Sequence, residues 1–453
     1  MPKAKAASGA KPSGMTLHAY QVGFGDCFLL SFHYRSARDR HVLIDFGSTG
    51  LPTAAPKNQL TLIAQDIATV SGGSLDAVVL THRHRDHMSG FETATGNKGP
   101  GDIIRSLKPK LVVQPWTEDP KAKKDATGPA ATPSGNALRV ASLQAQRLAI
   151  QNVVIEAQAL AATGTGDRDR RALQSVSDEG MEGILNASAV RNLQTMAPPE
   201  KHRYVFHGSP SGLGTVLPGV DVSVLGPPTL KQTSAIKKER STDPDEFWML
   251  QGIDWQFWGT QARNASFLGS SVGRAGKKGP FPRARTIKGN PSYARWFIPR
   301  VRAARAHELL GIVRILDKEM NNTSVILLFE IGSTRLLFPG DAQIENWDMT
   351  LQDKTLMKRL TGVTFYKVGH HGSRNATPKS LWKGFANRSR RKKPTRLRTV
   401  VSTMAGKFGA AARHTEVPRT TLVTALKSET DFFSTQELVQ KGHTLKQVFE
   451  FKF

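Results

Sequence analysis

Short apolar runs punctuate the first and last thirds of this chain, and several of them end in Gly, Pro, Asp or His. Residues 15–32 alternate and then turn fully apolar around Gly23-Phe24-Gly25-Asp26. Residues 41–45 form a second run ending in an acid, and together the two predict an opening hairpin. The Gly-x-Gly-Asp between them is no dinucleotide fingerprint, because a third glycine and a following helix are missing. Helical spacing over 60–70 precedes a buried strand over 75–80, which runs straight into Thr81-His82-Arg83-His84-Arg85-Asp86-His87. A strand over 111–113 closes on Gln114-Pro115-Trp116, and strand-like text returns at 204–207, 221–225, 324–331, 335–338, 365–369 and 399–402.

Two stretches interrupt this pattern. Helix-period apolar residues over 136–161 and 170–196, with polar, glycine-bearing joints between them, predict a mainly helical insertion at about 118–203. A second insertion, at about 229–317, is irregular and rich in Arg, Lys, Gly and Trp, and no solenoid period is visible. Residues 1–14 are basic without the apolar core of a secretory signal, so they read as a disordered tail. The length of 453 residues would allow three domains of about 150 each, but the motif map argues for a single domain over 15–453 carrying two insertions.

Composition changes the picture in two respects. Lys and Arg number 63 against 37 Asp and Glu, a net charge of +26, and a field of that sign attracts polyanions such as nucleic acid or a phosphorylated substrate. Basic surface that merely solubilises is the plainer reading. Cys27 is the only cysteine, so an internal disulfide is impossible and thiolates cannot build a metal site; a cytoplasmic setting is expected. No apolar stretch approaches the roughly 18 residues of a membrane helix, so no membrane partner is expected.

The densest chemistry lies in His-x-His-x-Asp-His directly after a buried strand. On a turn leaving a strand end, His82 and His84 can face one point while Asp86 and His87 face a second nearby. Imidazole and carboxylate are ligands that suit zinc or manganese. The strand over 335–338 ends in Pro339-Gly340-Asp341, and the strand over 365–369 ends in His370-His371-Gly372-Ser373. A lone Gly-Asp is usually a turn and a lone His pair a surface feature. Three strand ends that each deliver metal-type ligands form a far more specific constellation.

Asp45, the Thr81–His87 block, Gly340-Asp341 and the block from Lys367 to Ser373 resemble the successive motifs of the metallo-β-lactamase superfamily. More narrowly, Gln21-Val22-Gly23-Phe24-Gly25-Asp26-Cys27, Asn321-Asn322-Thr323-Ser324, Phe338-Pro339-Gly340-Asp341 and Lys367-Val368-Gly369-His370-His371-Gly372-Ser373 resemble the hydrolase domain of the DNA-uptake channel protein ComEC and its stand-alone relatives. Similar residues run from about 17 to 420. The resemblance implies an αββα sandwich of two mixed sheets flanked by helices, with two divalent ions, zinc or manganese, at one sheet edge. His82 and His84 would hold the first ion, Asp86 and His87 the second. Asp341 would bridge them, and His370 would complete the second site, with His371 the alternative that spacing leaves open. Asp45 would orient the His loop from behind, and Asp26 either does the same or caps a turn. The superfamily's third histidine for the first ion has no clear counterpart: His207 is the nearest candidate, His202 a weaker one, and the ComEC-like subgroup commonly lacks it. The sequence also reads His-x-His where the channel proteins often carry Asp at the second position.

Such a site implies hydrolysis with Asp86 or Asp341 taking a proton from water, and phosphodiesters of nucleic acid or nucleotides are the favoured substrate. His414 is either a substrate or leaving-group contact or a satisfied structural histidine. Between the His370 motif and His414 runs a basic segment, with Arg388, Arg390, Arg391, Lys392, Lys393, Arg396 and Arg398, expected to sit beside the site and bind a phosphate backbone. Basic runs at 274–285 and 296–305 carry interleaved aromatics, as in single-strand grooves. The alternatives are a hydrolase of small esters, lactones or lactams, and a nucleic-acid-binding or complex-forming component with a regulatory metal site, for which the insertions could dock a protein partner.

Overall fold

A computed structural model describes residues 11–120, 186–229, 231–233, 321–373, 377–408, 416–440 and 444–453. The chain divides into two units, one of Met1–Gly135, Asn186–Glu239 and Glu319–Phe453, the other of Asn136–Leu185 and Arg240–Lys318. All described residues belong to the first. The helical expectation over 136–161, most of that over 170–196, and the basic runs at 274–285 and 296–305 therefore lie outside the described residues.

Thirteen strands among the described residues form two mixed sheets. The first opens as an antiparallel meander of β1 (Gly14–Tyr20), β2 (Cys27–His33) and β3 (Arg40–Phe46), then continues in parallel through β4 (Ala77–Val79), β5 (Val112–Pro115) and β6 (His202–Val205). The second repeats that plan. It has a meander of β7 (Asp221–Gly226), β8 (Ile326–Ile331) and β9 (Thr334–Phe338), followed in parallel by β10 (Phe365–Lys367), β11 (Arg398–Val401) and β12 (Asp431–Ser434). The last strand, β13 (Lys446–Lys452), returns to pair with β1, giving sheets of seven and six strands.

Strand β2 shows why the apolar runs are continuous rather than alternating. Phe28, Leu30 and Phe32 point into a core shared with Phe329, Phe338 and Phe365 of the opposite sheet. Cys27 and Leu29 point to the other face, which helices cover. Those helices are α1 (Gln59–Val70), a four-residue turn α2 (Arg85–Met88), α3 (Pro100–Ser106) and α4 (Ala187–Thr195). Helix α1 buries Ile63, Ala64 and Ile67, the one-face spacing that its sequence predicts. On the second sheet α5 (Ile344–Gln352), α6 (Lys354–Thr361), α7 (Lys379–Gly384) and α8 (Thr420–Glu429) bury Trp347, Leu360, Leu381 and Leu426 against Leu328, Leu337 and Tyr366. A short α9 (Glu437–Gln440) precedes β13. Two mixed sheets thus face each other with helices outside both, as the expected layering requires.

Two boundaries and two strands differ from the sequence expectation. The expected tail does not extend to residue 14, because Pro12 is buried, the Ser13 backbone N–H donates to the His33 carbonyl at 2.8 Å, and Gly14 starts β1. The first insertion ends before residue 203. Helix α4 belongs to the first unit, where Asn192 donates to the Phe91 and Gly101 carbonyls at 2.8 and 2.9 Å. Residues 431–434 and 446–452 are strands that the sequence pattern had not marked. Among the described residues no helix is long and apolar enough to cross a membrane.

Candidate metal centre

In mixed sheets, ligands gather beyond the carboxyl ends of parallel strands, and here four such ends meet. Asp45 lies at the end of β3 and Thr81–His87 follows β4; in the repeated half, Asp341 follows β9 and His370-His371 follows β10. Corresponding turns of the two halves therefore face each other. Gly340 allows the close approach between the halves, and Gly25 the close packing of the His loop within the first half. A Cβ on Gly25, at φ +153, would lie 2.5 Å from the Asp86 carbonyl oxygen, and one on Gly340, at φ +56, would lie 2.7 Å from the Thr81 Cβ. Asp45, His370 and His371 hold φ of 54°, 42° and 51°, a left-handed backbone that costs about 1–3 kcal/mol each in non-glycine residues and is concentrated here.

Asp86, His87, Asp341 and His371 form one group whose ligand atoms all lie within 4.8 Å of one another, and His82, His84 and Asp86 form a second. Within the first, His371 Nε2 donates to Asp86 Oδ2 at 2.9 Å and lies 3.2 Å from Asp341 Oδ2, while His87 Nε2 lies 3.1 Å from the same Asp341 oxygen. Within the second, His82 Nε2 and His84 Nδ1 face each other at 3.0 Å. Asp86 belongs to both. Spacing leaves His370 and His371 open, with His370 the first choice; the turn directs His371 into the cluster, and among the described residues His370 joins no group of close ligand atoms.

Outer partners fix the rings. Asp45 accepts hydrogen bonds from the Thr81 backbone N–H and hydroxyl, both at 2.7 Å, and from His87 Nδ1 at 2.8 Å, so His87 presents Nε2 forward. His371 Nδ1 donates to the Ser402 carbonyl at 2.8 Å. Arg83, inside the His motif, is tied to Glu118 by contacts of 2.9 and 2.6 Å. Asp26 stands behind the same two rings, 3.6 Å from His87 Nδ1 and 3.8 Å from His371 Nδ1, and its carboxylate pairs with the ammonium of Lys367. Lys367 is buried, donates to the Gly340 carbonyl at 3.2 Å and lies 3.6 Å from Asp341 Oδ1. Sequence reasoning gave this lysine no role, although a lysine inside the uninterrupted buried run Phe365-Tyr366-Lys367-Val368 was the available signal.

Four carboxylates against one lysine make the pocket a cradle for cations. Burial disfavours an imidazolium, yet Asp341, Asp45, Asp86 and Asp26 hold His87 well above the ordinary histidine range. Against the same penalty, Asp341 and the bonds to Asp341 and Asp86 push His371 up to about 10. His82 moves the other way, lowered by burial and then by His87 and His84. Burial likewise takes His370 down to about 4. Protons on His87 and His371 thus supply neutralising charge that a metal ion can supply instead. His87 Nε2 and Asp341 Oδ1 are buried and make no hydrogen bond among the described residues, an arrangement expected where buried donors converge on an ion. The donor set of imidazole nitrogens and carboxylate oxygens fits such an ion.

Other expected residues are placed elsewhere. His207 Nδ1 donates to the Leu225 carbonyl at 2.9 Å and His202 Nε2 to the Ala197 carbonyl at 3.0 Å, and neither joins a ligand group. His414 lies outside the described residues. The basic segment is at the wrong end of the sheet for the role expected of it. Strands β10 and β11 are parallel, with Phe365 beside Arg398 and Lys367 beside Val400, and α7 carries the chain back before β11 begins. Arg388 to Arg398 therefore leads into the amino end of β11, a strand's length from His371. Part of the run is also structural. Arg388 pairs with Glu429 and lies 5.0 Å over Trp382, Arg396 bonds Asp431 at 3.0 Å, and Arg398 donates to the Glu450 carbonyl at 2.8 Å. Arg390, Arg391, Lys392 and Lys393 are exposed.

No protein-family model and no curated protein matches this sequence. The geometry predicts a contrast between the neighbouring histidines. His371→Ala should weaken zinc binding by more than about 100-fold, beyond the range for an outer partner, and His370→Ala by less than about tenfold. Competition against a chromophoric chelator measures both, and the reverse order would make His370 the ligand.

Proposed function

We propose that this protein is a metal-dependent hydrolase of the metallo-β-lactamase type, with a dinuclear zinc or manganese site that cleaves phosphodiester bonds of nucleic acid or nucleotides. The observation that carries the reading is the convergence of His82, His84, Asp86, His87, Asp341 and His371 from three strand ends of two facing sheets. His82 and His84 would hold one ion, Asp86, His87 and His371 the other, with Asp341 between them. Held there, the ions would lower the pKa of water and offset the negative charge of the transition state. Asp86 stays ionised, since His87 and the His371 hydrogen bond hold its carboxylate well below its usual range despite burial; so depressed it is a weak base, and its charge would serve chiefly to hold an ion and the attacking water. Asp45 keeps His87 in one tautomer, and Lys367 holds Asp341 from behind.

The choice of phosphodiesters rests on the net charge of +26 and on the motif resemblance. One observation favours a second reading. With residues 388–398 at the far end of the sheet, that basic run does not line the site, so a small ester or lactone is the substrate to test beside it. The purified protein, supplied with zinc or manganese, is expected to hydrolyse bis(p-nitrophenyl) phosphate and single-stranded oligonucleotides, and the Asp86→Ala variant to lose at least about 100-fold, some 2.7 kcal/mol of barrier. Activity on ester and lactone probes alone would select the second reading, and intact substrates of all classes would refute both.

A further inference from the structure

Single exposed apolar residues are ordinary on protein surfaces, and three large ones occur among the described residues: Phe408, Val448 and Phe453. Val448 belongs to the edge strand β13 and Phe453 follows it. Phe408 is different, because its surroundings connect it to the metal centre. It is the most exposed of the three, at 44%. Its ring stands edge-on to Phe24 with centroids 4.6 Å apart, and Phe24 lies 4.3 Å from the ring of His371. Two ring contacts therefore lead from a candidate metal ligand to solvent. The backbone beneath is pinned, since the Val417 N–H donates to the Phe408 carbonyl at 3.2 Å and the Phe24 N–H to the Gly50 carbonyl at 2.9 Å. Beside it Lys407 is exposed, with Nζ 5.8 Å from the Phe408 ring centroid and its Cε–Nζ end close to Gly50.

A pinned, solvent-facing ring with an ammonium at its margin suits two parts of one ligand. A nucleobase stacks on the ring whatever its identity, and the flanking phosphate meets the charge. We propose that Phe408 and Lys407 form a subsite that stacks one base of a single-stranded nucleic acid beside the metal centre. The position of that base next to the scissile bond rests on the phosphodiesterase reading, whereas the stacking does not.

The test separates the two. Fluorescence anisotropy in chelator, where nothing is cleaved, compares an oligothymidylate with an abasic strand of equal length. The native protein should bind the base-bearing strand roughly tenfold more tightly. Phe408→Ala should bring the two strands to equal affinity, and Phe408→Trp should keep the preference. Lys407→Ala should weaken both strands alike and reduce the salt slope by about 0.7, the value for one phosphate on a single strand. Equal affinity of the native protein for the two strands, binding of neither, or an unchanged preference in Phe408→Ala overturns the subsite. Base-dependent binding by a protein that cleaves no phosphodiester in zinc or manganese would support the subsite and refute the phosphodiesterase reading instead.

Discussion

Lys367→Met is expected to destabilise the metal-free protein by about 3–5 kcal/mol, the cost of breaking a buried ion pair from one side. The ammonium is enclosed between Asp26, the Gly340 carbonyl and Asp341. Burial alone would lower its pKa, but Asp26 and Asp341 hold it above the ordinary lysine value, so it carries charge throughout the neutral range. Methionine fills similar volume but leaves the Asp26 carboxylate desolvated with no ammonium partner. Domain stabilities are typically about 5–15 kcal/mol, so the loss should be plain in a urea melt. A second substitution tests the cause. Asp26→Asn removes the stranded charge, and the double variant should recover part of the loss, giving a coupling energy that independent sites would lack. Zinc affinity should also fall by about 10–100-fold, because Asp341 loses the group that holds it from behind. An unfolding midpoint equal to that of the native protein would mean that the pair contributes nothing.

The same lysine marks the limit of what the sequence could tell. The His82–His87 block was legible because four ligand-type side chains fall within six residues at the end of an apolar run, and Asp341 because it ends another such run. Their meeting required two turns far apart in sequence to face each other across the sheets, and only the resemblance to a known motif series supplied that. Lys367 and Asp26 are equally far apart, and a lysine in strand text reads as exposed unless its partner is known. His370 and His371 could not be separated by counting, because both backbones lie in the left-handed region, where alternation no longer gives side-chain direction.

The opposite error, over the basic segment, has an equally specific cause. Sequence order placed residues 388–398 between two site motifs, but order does not say at which end of a parallel sheet a loop emerges. A helix between parallel strands returns the chain to the amino end, and α7 does so here. Strand β13 escaped notice because its burial is partial and alternates with exposure along KQVFEFK, as befits a solvent-facing edge, and because its partner β1 lies at the other terminus of the fold. What the sequence carried well was local and dense; what it carried poorly was long-range pairing.

Replacing the carboxylate that lies between His87 and His371 has the largest expected effect on chemistry. Asp341→Asn keeps the shape and removes the charge from the group that lies 3.1 Å from His87 Nε2 and 3.2 Å from His371 Nε2. In the native protein, zinc at 100 times its dissociation constant should add about 2.7 kcal/mol of stability, visible as a rise in melting temperature. The variant should lose most of that rise at the same zinc concentration, because a neutral amide oxygen is a poorer ligand and the positive charge of a bound ion is no longer offset. If the phosphodiesterase reading holds, turnover should fall by at least about 1,000-fold, since each tenfold corresponds to roughly 1.4 kcal/mol and transition-state charge stabilisation at such a site is worth several. The melting shift and the rate are independent readouts. A variant that keeps both would remove Asp341 from the metal site altogether, whereas one that loses the rate but keeps the shift would leave Asp341 in catalysis and move the tightly bound ion to the remaining ligands His82, His84, Asp86, His87 and His371.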